Sequence, residues 1–380
     1  MKISSGSTAS TVLTLILVMI GCTSPSVEQA DDETISVAAD SPPVALASVN
    51  VAPIPRGNRI LGIETTTVPT GRTYEDNINK AKSLNAEATC MSIQWNQIEP
   101  KANEYADPNY GLAIANLYYP KENMKLSLII RSVDTVVTPV PNDLKNTDFD
   151  DAKLISRFKS MLDWVFEKIP EVDLSSLQIG NEIDLNPISS PKFWRQYATF
   201  VKEVTSHVHM KRPGTLVGFT VTHRAAGGNL EANILAAAKE ADVIGITYYP
   251  LNEDFTVRPS TVVAGDFARI VQAFESKTIH IAEIGLPTGS ANQSSEALQS
   301  QFLESIFLAW DVHADKIPYL SIDRLVDYSH SGATSMAAEY GINNNAAFTS
   351  FIETIGLQSF AGVDKSAVAT LRRLTQERGW

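Results

Sequence analysis

The run Leu177-Gln178-Ile179-Gly180-Asn181-Glu182-Ile183-Asp184 passes abruptly from apolar residues to a glycine, an amide and a carboxylate. Buried parallel strands read this way: short, rich in Val, Ile and Leu, and closed by polar groups. A second run, Thr278-Ile279-His280-Ile281-Ala282-Glu283-Ile284-Gly285, follows the same pattern and also reaches a Glu. In a barrel of parallel strands the C-terminal strand ends form the mouth where chemistry takes place. Glu182 and Glu283 are therefore candidate acid and base groups facing one another across a single cleft.

Apolar runs alternate with amphipathic stretches on both sides of these two segments, the pattern of βα units around a parallel sheet. Strands are expected at residues 59–63, 88–93, 126–131, 177–180, 216–220, 243–248, 279–282 and 319–322. Between them, Leu154, Phe158, Met161, Leu162 and Val165 form one helical stripe, and Phe193, Tyr197, Phe200 and Val204 another. A third carries Leu298, Phe302, Ile306 and Trp310, and residues 367–378 have the periodicity of a closing helix on the barrel wall. The fold expected is α/β, a single-domain (β/α)8 TIM barrel over residues 56–380. An open doubly wound sheet would carry a glycine-rich phosphate loop after its first strand, and Gly62-Ile63-Glu64-Thr65 is not one.

The net charge of −12 and pI near 5.0 argue against a nucleic-acid partner, whose phosphates need a basic footprint. Residues 12–20 form an apolar run too short to span a bilayer comfortably, and it ends at Gly21-Cys22. Residues 23–55, rich in Ser, Ala, Pro and Asp, read as a disordered tether. Cys90 lies in an apolar segment and reads as a buried thiol. His207 and His209 sit near a helix end without a carboxylate at ligand spacing, so no metal site is expected.

Two carboxyl groups flanking one bond are what glycoside hydrolysis requires: one protonates the departing oxygen, the other attacks the sugar or activates water. The surrounding segments extend this reading. Asn181-Glu182 on the fourth strand and Glu283 on the seventh resemble clan A of the glycoside hydrolases. Trp95-Asn96-Gln97-Ile98-Glu99-Pro100 looks like its W-x-x-I-E-P segment. Asp242 through Pro250 looks like the sixth strand of endo-β-1,4-galactanases, and Glu283-Ile284-Gly285-Leu286-Pro287 like the E-x-G-x-P run of galactanases and endo-β-1,3-glucanases. Met19-Ile20-Gly21-Cys22 resembles a bacterial lipobox, closing a signal peptide over residues 1–22. That resemblance implies acylation of Cys22 and a lipid-anchored envelope protein, on the outer membrane in a diderm cell, or otherwise a secreted one.

The clan resemblance implies Glu182 as acid/base and Glu283 as nucleophile. It departs from the pattern where Tyr319-Leu320-Ser321-Ile322-Asp323-Arg324 lacks the eighth-strand Trp, and where Ser92-Ile93-Gln94 lacks a basic residue near the nucleophile. Arg131 is the expected substitute. Tyr248 is favoured over Tyr249 as the donor to Glu283, because it directly follows the apolar run; alternation lets only one of them enter the mouth. Asn181 is expected on the sugar 2-hydroxyl, with Trp95 and Tyr249 against sugar faces and His223 within reach of substrate. His280 is expected to point to the helices, while Trp194 and Trp310 read as core. The function expected is a retaining glycosidase of a β-linked poly- or oligosaccharide, monomeric and without cofactor. A transglycosylase on the same site and a catalytically silent glycan-binding lipoprotein are the alternatives.

Overall fold

The computed structural model describes residues 52–380. Cys22, the lipobox and most of the expected tether lie outside them. Eight parallel strands close into a barrel in sequence order: β1 Ile60–Ile63, β2 Ala88–Gln94, β3 Lys125–Arg131, β4 Leu174–Gln178, β5 Val217–Thr222, β6 Val243–Tyr248, β7 Thr278–Ile284 and β8 Tyr319–Ile322. The helices are α1 Tyr74–Lys82, α2 Trp95–Ile98, α3 Gly111–Tyr118, α4 Ala152–Lys168, α5 Pro191–Lys211, α6 Glu231–Ala238, α7 Val263–Ala273, α8 Glu296–Val312, α9 His330–Glu339, α10 Ala346–Thr354 and α11 Ser366–Gln376. The expected barrel is the observed one. The largest strand discrepancy is β4, which starts at Leu174, because Leu174 and Ser176 pair with β3 ahead of the apolar run.

Local chemistry sets the helix starts. Asp151 caps α4 by accepting from Lys153 N–H, and Ser190 caps α5 at Phe193 N–H with Pro191 in the first turn. The apolar stripes read from the sequence are buried between these helices and the strands, where Phe158, Tyr197, Phe200 and Trp194 form an aromatic cluster with Phe149 and Phe193. Trp310 is core, as its stripe implies, and donates to Ile317 O at 2.7 Å.

The barrel interior is unusually polar: Ser127, Ser176, Gln178, His280, Tyr319 and Ser321 are all buried. Glycines make room for them. A Cβ on Gly62 would stand 2.8 Å from the Tyr319 hydroxyl, and one on Gly218 would stand 2.3 Å from Val243 O and 2.8 Å from Gln178 Oε1.

One irregularity fixes the site. In β7, Ile281 pairs with Ile246 but Glu283 pairs with Thr247, so Ala282 is an extra residue. His280 pairs with Gly245, two residues before Thr247 and hence on the same face. His280 and Glu283 therefore both face the barrel interior. This corrects the expectation that His280 turns to the helices: regular alternation separates positions 280 and 283, and the bulge cancels it. The His280 ring lies 5.0 Å from that of Tyr319 inside the barrel.

The closing helix α11 packs on α8, and Arg378 joins Arg59 on Asp311, binding the last helix to the start of β1. Helices α9 and α10 do something else. With Leu251 they form a separate apolar cluster, including Ala333, Phe348, Phe351 and Ile355, that walls one side of the mouth.

Candidate active site

Glu182 follows β4 at φ 44°, and Thr135, after β3, sits at φ 46°. Both are left-handed conformations that side chains avoid, most of all a β-branched one, and each costs about 1–3 kcal/mol. The two strained residues meet: Thr135 Oγ1 donates to Glu182 Oε2 at 3.0 Å. Thr247, facing inward from β6, donates to Glu182 Oε1 at 2.7 Å. Thr220 accepts from Glu182 N–H at 2.9 Å and donates to Asn181 Oδ1 at 2.7 Å. Asn181 Nδ2 in turn donates to Asp134 at 3.1 Å, and Arg131 pairs with the other oxygen of Asp134 at 2.6 Å. The backbone places the carboxylate, and four strand ends hold it.

Glu283 is held from the opposite side. Thr247 faces inward, so the period-two rule puts Tyr249, not Tyr248, into the mouth. Tyr249 Oη lies 2.8 Å from Glu283 Oε2, and also 2.8 Å from Oδ2 of Asp323, directly after β8. Tyr248 points outward, buried against Phe267 and Phe302, and donates to Asp266 on α7 at 2.9 Å. The expectation for Tyr248 is thus corrected in favour of Tyr249, its inward neighbour.

Both Glu residues line one cavity of about 510 Å³. Burial raises Glu182 to about 7, with the hydrogen bond from Thr247 opposing and Asp184 and Asp134 adding repulsion. Glu283 is pushed higher, to about 8, by burial, then by Asp323 and Glu182.

Other expected residues fall in several places. Trp95 is fully buried behind the mouth, its ring edge-on to Phe158 and its Nε1 donating to Glu99 at 2.9 Å. It touches no sugar-sized space, which corrects its assignment. Glu99 is an ion-pair partner of Arg157, so the Trp95–Pro100 segment is structural. Arg131 lines the cavity, but its partner is Asp134 on the Glu182 side, and it does not bond Glu283. The guanidinium beside Asp323 belongs instead to Arg324, which pairs with Glu64 at the end of β1 and lies over the Tyr328 ring at 3.7 Å. His223 lines the cavity as a buried ring 4.9 Å from that of Tyr248, and burial lowers it to about 4, so it is neutral at pH 7. Cys90 is buried with its thiol pushed up. His207 bonds Asp163 and His209 bonds Asp242, pairings with carboxylates distant in sequence that spacing could not disclose.

Asp323 is the residue that sequence reasoning missed. The signal was present: a carboxylate directly after a strand, the same feature that singled out Glu182. It was masked by reading that segment only for an absent Trp. Phe255, Met336, Ile342 and Phe348 add an apolar wall from β6 onward, and among the described residues no Trp lines the cavity.

No family model matches the chain, and no curated protein sequence matches it. Solved structures do. The exo-β-1,4-mannosidase of Opitutaceae bacterium strain TAV5 superposes with a TM-score of 0.64 at 14% identity, over 84% of this chain and 59% of that enzyme. This chain thus spans less than two thirds of that enzyme's length. GH5_18 from Bifidobacterium longum subsp. longum, solved as a Glu-to-Ala variant in complex with Manβ1-4GlcNAc, gives 0.65 at 12% identity over 84% of this chain and 78% of that one. A family 39 glycoside hydrolase from the gut symbiont Bacteroides cellulosilyticus WH2 gives 0.57 at 13% identity, over 85% and 64%. At such identities the likeness carries the architecture alone: the chain has the (β/α)8 fold of these glycoside hydrolases.

Proposed function

We infer that the chain is a retaining glycoside hydrolase that cleaves a β-linked poly- or oligosaccharide. One observation carries this reading: two half-buried carboxyl groups, Glu182 after β4 and Glu283 on β7, enter the same mouth cavity from opposite sides. The Manβ1-4GlcNAc complex of a structural neighbour supports an oligosaccharide as occupant of such a mouth. Glu182, raised to about 7, is protonated over much of the neutral range and acts as the acid toward the leaving oxygen. Glu283 attacks the anomeric carbon, and the glycosyl ester is then opened by water that Glu182 deprotonates. Asn181 offers its second amide hydrogen to the sugar 2-hydroxyl, its other contacts being fixed by Asp134 and Thr220.

The test is a screen of 4-nitrophenyl β-glycosides and β-linked polysaccharides, followed by two variants on whichever is cleaved. Glu283→Ala should abolish turnover with every leaving group. Glu182→Ala should keep glycosylation by activated aryl glycosides, and azide should restore its turnover with retained stereochemistry. Azide rescue with inversion at Glu182→Ala would exchange the two roles. Retained activity in both variants would remove the assignment.

A further inference from the structure

The Tyr249 hydroxyl carries one hydrogen, yet it stands 2.8 Å from a carboxylate oxygen on each side, Glu283 Oε2 and Asp323 Oδ2. It can donate to only one of them. At the other contact the hydrogen must come from the carboxyl group itself. The three groups therefore hold a proton beyond the phenol's own. We propose that Asp323 and Tyr249 form a proton relay that ionises Glu283 for attack, which rests on the glycosidase reading above. In one state Glu283 Oε2–H donates to Tyr249 Oη and Tyr249 donates to ionised Asp323. In the other, Asp323 Oδ2–H donates to Tyr249 Oη and Tyr249 donates to ionised Glu283. Passing between them breaks the Glu283 O–H and the old phenolic O–H, and forms a new phenolic O–H and the Asp323 O–H. No net charge moves out of the trio, and no external base is consumed. While Glu283 is esterified the proton rests on Asp323; it is available to Glu283 again on release.

The surroundings make such a relay necessary. A nucleophilic carboxylate must be ionised, and burial opposes this, as do the carboxyl groups of Asp323 and, across the mouth, Glu182 and Asp134 whenever they carry charge. The fully buried Cys90 thiol on β2 offers no cation. The charges facing Asp323 are Arg324, which favours its ionised form, and Glu64, which opposes it. Arg324 is itself engaged by Glu64 and stacked on Tyr328. On its α10 side the Tyr249 ring packs edge-on against the Phe351 ring, with centroids 5.4 Å apart. Asp323 is thus a positioning residue that acts through Tyr249, at the strand end where the resembled clan carries a Trp.

The relay is read without substrate by carboxyl ¹³C NMR on the full chain labelled in aspartate Cγ and glutamate Cδ. Asp323→Asn and Glu283→Gln assign the two resonances. Wild type should show both carbons moving in two shared steps, since one proton is divided between them. Complete ionisation of Asp323 in the lower step, with Glu283 moving only in the upper, overturns the relay. Kinetics supply the second arm on the fastest-cleaved 4-nitrophenyl β-glycoside. Tyr249→Phe should lower kcat at pH 7 by about 10²-fold in wild type but by only about tenfold in an Asp323→Asn background, where Glu283 ionises unaided. An equal loss in both backgrounds also overturns it. If no glycoside is turned over, the glycosidase reading fails while the NMR titration still decides the relay.

Discussion

Burial of carboxyl groups at single positions has a thermodynamic consequence apart from catalysis. Glu283 is raised to about 8 in the folded chain from an ordinary value of 4.5. A carboxyl raised on folding contributes fully below its unfolded value, and that contribution is lost as pH climbs through the folded value. Between about pH 4.5 and 8 the site therefore weakens the protein. Glu283→Gln should raise stability at pH 8 by on the order of 3 kcal/mol and leave it nearly unchanged at pH 4.5, as measured by urea unfolding at the two pH values. A variant equally stabilised at both would mean the gain is packing, not charge. At this scale the sequence was partly legible. Glu182, Glu283 and Asn181 could be picked out because polar groups closing an apolar strand have few structural reasons to be there. The choice between Tyr248 and Tyr249 needed the facing of Thr247, which alternation yields only once one strand position is anchored. Trp95 misled because a ring at a strand end reads the same whether it turns toward the cavity or behind it.

At the scale of elements, strand and helix periods disclosed nearly everything that repeats and nothing that breaks the repeat. The bulge at Ala282 leaves no mark in composition, yet it turns Glu283 to the face that His280 shares. Helix α9 has no reading in the sequence because its apolar residues face a satellite cluster around Leu251 rather than the barrel wall. Glycines show the same distinction between local preference and tertiary demand. Gly218 lies where a methyl group would meet the Val243 carbonyl at 2.3 Å, a backbone atom with no room to retreat. Gly265 lies exposed inside α7 with nothing within 4 Å of a built Cβ. Gly265→Ala should raise stability by about 0.5–1 kcal/mol, the helix propensity difference, while Gly218→Ala should lower it by about 2 kcal/mol or more. Thermal unfolding of the two variants checks this, and a neutral Gly218→Ala would mean β5 and β6 can separate freely.

Over the whole molecule, eight apolar runs at the spacing of βα units sufficed for the barrel, because closure needs only the period and the count. Residues 1–51 lie outside the described residues. The lipobox reading proposes a lipid at Cys22, and Cys22→Ser should give a protein that takes up no radiolabelled palmitate and leaves the membrane fraction, with activity per folded molecule unchanged. Continued labelling of that variant would end the proposal. The junction with the barrel is defined: Arg56 N–H donates to Arg378 O, and Arg59 and Arg378 share Asp311 at the C-terminal end of α8.

That shared aspartate has a directional consequence. β1 runs from Ile60 toward Glu64, which lines the cavity, so the chain enters the barrel at the end opposite the opening. A molecule held by the residues that precede Arg56 is held by its base. The cavity that Glu182 and Glu283 line then lies at the far end of the barrel from the residues that precede Arg56.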